Sequence, residues 1–338
     1  MPGAGPGHQG GARVSRATLD APESEETPKP PRRRTPLQRT EARAGWGLLT
    51  PTLVIVLVVV VAPILWTIVL AFQRVRVIDL QRRGMTGPFT LRNLERVFGS
   101  PGFWDTLWTT IIYTVGGVAL SIGVGLVAAL AVRRPFRGRT FVRASFLLPY
   151  IAPVVGATFV WQTMLNPEYG VLNAWGTRFL GWDRPVDFLN EISGSLWGLD
   201  VPTALLTVIV FEGWRYFPFA FLFLLARMQA LPAELEEASL VDGATPTQRF
   251  RHVILPQLLP TIAVLTVLRF VLTFTKFDDV YLLTGGGSGT EVVSVRVYDF
   301  LTSRGDIGAA SAEALVLAAA LAVFVLIYLR IAGPGRQS

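Results

Sequence analysis

Cysteine is absent from the 338 residues, which excludes disulfides and thiolate metal sites and leaves the compartment unreadable from redox chemistry. Histidine is nearly absent: His8 and His252 lie far apart, so an imidazole-based metal site is not expected. Lysine occurs only at Lys29 and Lys276, and no Gly-x4-Gly-Lys-Ser/Thr run exists. The glycine-rich stretch Thr284-Gly285-Gly286-Gly287-Ser288-Gly289-Thr290 therefore lacks the lysine and hydroxyl that hold nucleotide phosphates and magnesium. Gly-x-Ser-x-Gly, His-Glu-x-x-His and CxxC are missing too, which argues against hydrolase, zincin and redox chemistry. No catalytic residue, metal ligand or cofactor is expected.

Long apolar runs dominate what remains. Hydrophobic residues make up 51% of the chain, and the mean hydropathy is +0.45, unusual for a soluble globular chain. Residues 48–72 and 106–132 carry no charge and are long enough to cross a bilayer. Further spans are expected over 144–167, broken by Pro149 and Pro153, over 201–228 with Glu212 and Arg215 inside, over 253–277 with Arg269, and over 307–329. Pro63 predicts a kink in the first span. Gly116, Gly117, Gly123 and Gly125 in the second suit close helix packing in lipid. The expected fold class is all-α: a polytopic membrane protein with six transmembrane helices.

The net charge of +7 fits orientation in a bilayer better than nucleic-acid binding. Residues 1–45 are rich in Pro, Gly, Arg, Thr and Glu and are expected to be a disordered cytoplasmic tail, because they cannot bury enough apolar surface to offset ordering entropy. Its Pro30-Pro31-Arg32-Arg33-Arg34 run could hold anionic lipid or nucleic acid, but a solvated tail that helps fix topology is the simpler reading. No secretory signal peptide is expected, since the apolar run comes too late and is too long. Arg133, Arg134, Arg137, Arg139 and Arg143 crowd one connection and place it in the cytoplasm. The acidic, aromatic connection over 168–200 (Tyr169, Trp175, Trp182, Trp197) then falls outside. Arg330 and Arg336 keep the C-terminus inside, so both termini of this multi-pass plasma-membrane chain are expected to be cytoplasmic. Arg74, Arg76, Arg82, Arg83, Arg92 and Arg96 in the first connection run against this orientation.

One stretch between spans is polar and helical: LPAELEEASLVDGATPTQRFRHVILPQLLP, residues 231–260. Pro232 suits a first turn, and Glu234, Glu236 and Glu237 favour a helix N-terminus. Asp242-Gly243 supplies a left-handed stop. A second short segment, 248–255, is expected to end at Pro256, giving a hairpin at one membrane face. Small residues there let another surface approach the backbone. The plain alternative is an ordinary amphipathic loop resting on the interface.

Charges inside spans are costly in lipid and face a partner or a cavity. Glu212 and Arg215 stand three apart, close enough to pair on one helix face; the alternative is that they line a polar pathway. Arg269 and Glu313 either pair across two helices or line that pathway. Trp161, Trp214 and Tyr216 read first as interfacial belt residues. With Gln162, Asn166 and Asp278 they also offer the aromatic faces and hydrogen-bonding groups that a sugar site needs.

Glu237-Ala238-Ser239, Asp242-Gly243-Ala244, Phe250, Ile254-Leu255-Pro256 and Pro260 resemble the "EAA" signature of bacterial ABC importer permeases. Ser239 replaces the family's second Ala, and the spacer in Ile-x-Leu-Pro is missing. Phe103-Trp104, Leu147-Leu148-Pro149-Tyr150, Trp161 with Tyr169-Gly170-Val171-Leu172-Asn173, Trp214-Arg215-Tyr216-Phe217-Pro218-Phe219 and Phe277-Asp278 with Leu283-Thr284-Gly285-Gly286-Gly287 are similar to the first-permease subunits of carbohydrate ABC importers, the maltose and glycerol-phosphate class with the MetI-like fold. Ser288 stands where that family usually has Pro, and Glu313 where it is usually uncharged.

The resemblance implies a transmembrane domain over 46–338, with a cytoplasmic coupling-helix loop over 229–258. Glu236, Glu237, Ala238, Ser239, Asp242, Gly243 and Ala244 would then meet the ATPase, and Trp161, Gln162, Asn166, Trp214, Arg215, Tyr216 and Asp278 would line the substrate pathway. It implies as partners a second permease subunit in a heterodimer, two cytoplasmic ATP-binding subunits, an extracytoplasmic solute-binding protein and a sugar, in a lipid bilayer, without nucleic acid. The rivals are a permease for glycerol-phosphate or another polar solute, an ion-coupled secondary transporter, and a structural or signalling membrane protein.

Overall fold

The computed structural model describes residues 36–196 and 199–332. The expected tail lies outside them through residue 35, and its remainder is helical backbone. The chain divides into two compact units, one ending at Val58 and one beginning at Val59. The first contains α1 (Pro36–Val56). Here Thr50 Oγ1 donates to Trp46 O at 2.7 Å, which hides the hydroxyl among the exposed apolar side chains around it.

A π-helical turn, Leu57–Val61, leads into α2 (Ala62–Ala71). Pro63 lies in the first turn of α2, where its missing N–H needs no acceptor. The second unit continues with α3 (Leu80–Arg83), α4 (Arg92–Gly99), α5 (Phe103–Ala131), α6 (Arg139–Ile151), α7 (Val154–Leu165) and α8 (Val171–Phe179). Short antiparallel strands β1 (Gly194–Leu196) and β2 (Leu199–Val201) follow. Then come α9 (Thr203–Gln229), α10 (Ala233–Val241), α11 (Pro246–Arg249), α12 (Leu255–Phe274), α13 (Asp278–Thr284), α14 (Val293–Thr302) and α15 (Ile307–Ala332).

Among the described residues, five helical stretches are long and apolar enough to cross a membrane: Trp46–Ala71, Phe103–Ala131, Thr203–Gln229, Pro246–Phe274 and Ile307–Arg330. The remaining expected span is α6 with α7, bent by 97°. The bend sits at Ala152 and Pro153, both with ψ near 135°, because the residue before a proline avoids the helical region. Pro149 lies inside α6 without ending it.

Inside the second unit α5 runs along α9. A Cβ on Gly125 would lie 2.8 Å from Ala220 Cβ and from Phe221 N, so the two backbones touch through that glycine. Around the contact Phe221, Leu224, Leu258, Leu265 and Phe270 form the main core. Within lipid, such packing and interhelical hydrogen bonds hold helices together, since lipid tails are as apolar as leucine. Tyr328 OH donates to Ala263 O at 2.8 Å and ties α15 to α12.

The hairpin differs from its sequence expectation at one end. The segment from Gln248 does not stop at Pro256 but runs through a π turn, Phe250–Ile254, directly into α12. Pro256 falls in the first turn of α12, where it does not break the rod.

Candidate functional site

Two places carry the polar chemistry. The first is α10 and its exit. Gly243 adopts φ +73°. Ala244 N donates to Ser239 O at 3.0 Å and Gly243 N to Leu240 O at 3.1 Å, a Schellman closure of the helix. Thr245 and Gln248 then form a capping box that starts α11. Ser239 is buried, and its hydroxyl donates to Glu236 O at 2.7 Å, so serine fits this position as alanine would. Glu237, Ala238 and Asp242 are exposed, as are Leu240 at 55% and Val241 at 88%. An exposed face mixing carboxylates and aliphatic side chains is suited to a protein partner.

This helix is fastened to the end of α5 by the Arg133–Glu236 salt bridge. The arginines beside it also cap α5: Arg139 Nε donates to Val132 O at 2.7 Å, Arg139 Nη2 to Arg133 O at 3.0 Å and Arg143 Nη2 to Val132 O at 3.3 Å. Cations at a helix C-terminus satisfy its orphan carbonyls and its dipole.

The second place is a buried charge cluster where α5, α9, α12 and α13 meet. Glu212 accepts from Tyr113 OH at 3.0 Å and from Thr273 Oγ1 at 2.7 Å, and it pairs with Arg269. A Cβ on Gly117 would stand 2.6 Å from Glu212 Cγ, so α5 makes room for the carboxylate through that glycine. Tyr216 lies at the centre. The Arg269 guanidinium sits 4.2 Å and Lys276 Nζ 4.6 Å from its ring centroid, while its hydroxyl takes hydrogen bonds from Lys276 and, at 3.3 Å, from Arg215 Nε.

Asp279 stands 3.8 Å from both Arg215 and Lys276, and Asp278 is 3.8 Å from Lys276. Burial pushes the Asp279 carboxyl up to about 7, with the Glu212 carboxylate adding to the rise and Lys276 opposing it. For Lys276 burial works against the charge, but Asp279 and Tyr216 outweigh it and raise the ammonium above its ordinary value.

Two sequence expectations are overturned here. Glu212 and Arg215 do not pair with each other: Glu212 turns to Arg269 on α12, and Arg215 turns to Asp279 on α13, where each finds a better-placed partner. Arg269 does not pair with Glu313, which meets Arg296 Nε at 3.2 Å because α14 returns alongside α15.

Of the expected pathway residues, the structure gathers Arg215, Tyr216 and, through Lys276, Asp278. Trp161 and Trp214 meet at 5.4 Å with their planes tilted by 51°, and Trp161 meets Phe211 edge to face. Gln162 and Asn166 sit apart in a polar recess of about 280 Å³. There Gln162 Nε2 donates to Leu282 O at 2.8 Å, and Asn166 Oδ1 accepts from Glu168 N at 2.8 Å. The sequence reading missed Lys276 and Asp279 as members of the cluster. Their signal was a charged Lys-Phe-Asp-Asp run following at once on an apolar span.

Apolar helices of spanning length around a paired charge cluster are the build of a polytopic membrane protein. The chain belongs to the family of binding-protein-dependent transport system inner membrane components, whose model matches residues 121–333. It is 35% identical over 271 residues to the inner membrane ABC transporter permease protein YcjO of Escherichia coli (strain K12), covering 80% of this chain and 87% of that one. Over 296 residues it is 32% identical to the trehalose/maltose transport system permease protein MalF of Thermococcus litoralis, covering 87% of this chain and 95% of MalF. Its fold is similar to that of a solved bacterial ABC transporter involved in the import of the acidic polysaccharide alginate, with a TM-score of 0.73 at 22% identity, covering 89% of this chain and 99% of that one. The fold is thus MetI-like.

Proposed function

We propose that the chain is the permease subunit of an ATP-driven sugar importer in the cell membrane, that it forms part of the translocation pathway, and that it performs no covalent chemistry. The observation that carries the coupling half of this reading is α10: a short helix between two spans, exposed on a face of Glu237, Leu240 and Val241 and closed by Gly243. Glu236 to Ala244 would meet one of two cytoplasmic ATPase subunits. Closure of those subunits would push on this loop, and rigid-body rocking against a second permease would alternate access to the cavity between them. An external solute-binding protein would deliver the solute. The salt bridge from Glu236 to Arg133 supports this orientation, because it puts the docking helix on the same face as the arginine cluster. Both termini are then cytoplasmic.

The sugar assignment rests on the trehalose/maltose permease among the relatives and on the aromatic and hydrogen-bonding groups around Tyr216. Trp161, Trp214, Arg215, Tyr216 and Asp278, with Gln162 and Asn166 nearer the recess, are the proposed pathway residues. A second reading is an anionic polar solute, for which Arg215, Arg269 and Lys276 around Tyr216 are the available cations, each already paired with Glu212, Asp278 or Asp279.

Co-purification from the native membrane in mild detergent, with partners identified by mass spectrometry, tests the reading. Recovery of an ATPase and a second permease is expected. Recovery of this chain alone, in a detergent shown to preserve such complexes, would transfer the assignment to an ion-coupled transporter. Uptake of neutral against anionic sugars in vesicles separates the two substrate readings.

A further inference from the structure

The arginines at the end of α5 are more numerous than the carboxylates that answer them. Arg133 and Arg134, just beyond α5, and Arg249, the last residue of α11, line a recess of about 280 Å³ whose apolar wall includes Phe250 and Ile254. Glu236 is the one carboxylate in that lining, and Arg133 already holds it. The Nε of Arg249 is buried with no hydrogen-bond partner. Arg134 is exposed and forms no ion pair among the described residues. Beneath them the Arg139 and Arg143 side chains are fixed on Val132 O, so their charge cannot swing away. A desolvated guanidinium N–H without an acceptor is costly, and arginine forks match the geometry of phosphate oxygens.

We propose that this recess binds a phosphate oxyanion, supplied by the headgroup of an anionic phospholipid. The position argues for the lipid source. The recess lies where α5 stops, at Ala131, and where the apolar span Pro246–Phe274 begins, which is the depth at which headgroups meet the ends of spanning helices. Its polar rim and apolar wall suit a headgroup joined to acyl chains. Arg133, Arg134 and Glu236 also line a neighbouring recess of about 360 Å³ that reaches Glu237 and Leu240 on α10, so the Arg133–Glu236 bridge stands between the two. A bound oxyanion competes with Glu236 for Arg133 and so slackens the tie between α10 and the membrane end of α5. The lipid thereby sets how firmly the docking helix is held.

The full chain, purified in non-ionic detergent, is titrated with phosphatidylglycerol, phosphatidylcholine and inorganic phosphate and read by native mass spectrometry. Phosphatidylglycerol is expected to be retained at least tenfold more strongly than phosphatidylcholine. Arg134→Gln and Arg249→Gln, each checked for an unchanged melting curve, are expected to lower that retention about tenfold, while Arg92→Gln on α4 leaves it unchanged. Inorganic phosphate that displaces phosphatidylglycerol from the native chain would support the oxyanion site, with the free ion as a second source. Equal retention of the two lipids, or no loss in either arginine variant, would overturn the proposal. Complete loss of phosphatidylglycerol in the complex co-purified with its partners would assign the arginines to a partner's acidic surface and overturn it as well.

Discussion

Arg269 on α12 and Glu212 on α9 form a salt bridge whose side chains are 4% and 0% exposed. Neither charge has water to fall back on. Removing one partner of a buried pair costs about 3–5 kcal/mol, chiefly because the survivor is left uncompensated. Glu212→Ala and Arg269→Ala are each expected to lower unfolding stability in detergent by about that amount. The double substitution should cost clearly less than the sum, as a double-mutant cycle would read. Additive losses would show that the two residues act independently.

The left-handed turn at Gly243 gives a second prediction. A side chain with a Cβ costs about 1–2 kcal/mol in that conformation, and proline cannot reach φ +73° at all. Gly243→Ala should therefore weaken coupled uptake modestly. Gly243→Pro should abolish it while the chain still inserts and co-purifies with its neighbours. Normal uptake by the proline variant would remove α10 from any coupling role.

Gly125 and Gly123 make a paired test of packing. A Cβ at Gly125 meets Ala220, Phe221 and Phe217 O, whereas one at Gly123 meets nothing within 4 Å. Gly125→Leu should cost at least about 1–3 kcal/mol by overpacking, and Gly123→Leu should be nearly neutral. Thermal unfolding of both variants in the same detergent checks the contrast, which vanishes if α5 and α9 are not in contact there.

Asp279 predicts a pH dependence. Its folded pKa of about 7 lies above the ordinary carboxyl value, so the folded chain holds a proton that the unfolded chain releases. The stability this contributes is complete below about 3.9 and is lost as pH rises through 7. Melting temperature should fall between pH 5 and pH 8 by a component that Asp279→Asn removes. An identical slope in the variant would place the titration elsewhere.

The apolar runs were legible because span length is a direct physical requirement of the bilayer, and the hairpin because Pro232 and Gly243 punctuate a helix in recognisable ways. The partners of the buried charges were not legible. Spacing along one helix put Glu212 beside Arg215, yet α5 and α12 supply Tyr113, Arg269 and Thr273 as its partners, and Gly117 leaves room for the carboxylate from about a hundred residues away in the chain. Pro256 misled for a related reason. A proline reads as a stop in sequence, but one that falls in the first turn after a π-helical segment interrupts nothing.

That uninterrupted backbone makes α11 and α12 a single lever. From Pro246 to Phe274 it counts 29 residues, roughly 43 Å at the α-helical rise. One end begins just after the left-handed turn at Gly243, and the other carries Arg269 and Thr273, the two groups on α12 that grip Glu212. No loop lies between, and the π turn and Pro260 inside α12 are the points at which the stretch can bend. On the proposed coupling role of α10, a push at one end is expected to reach the other as a displacement of the Arg269 guanidinium, and of Glu212 with it.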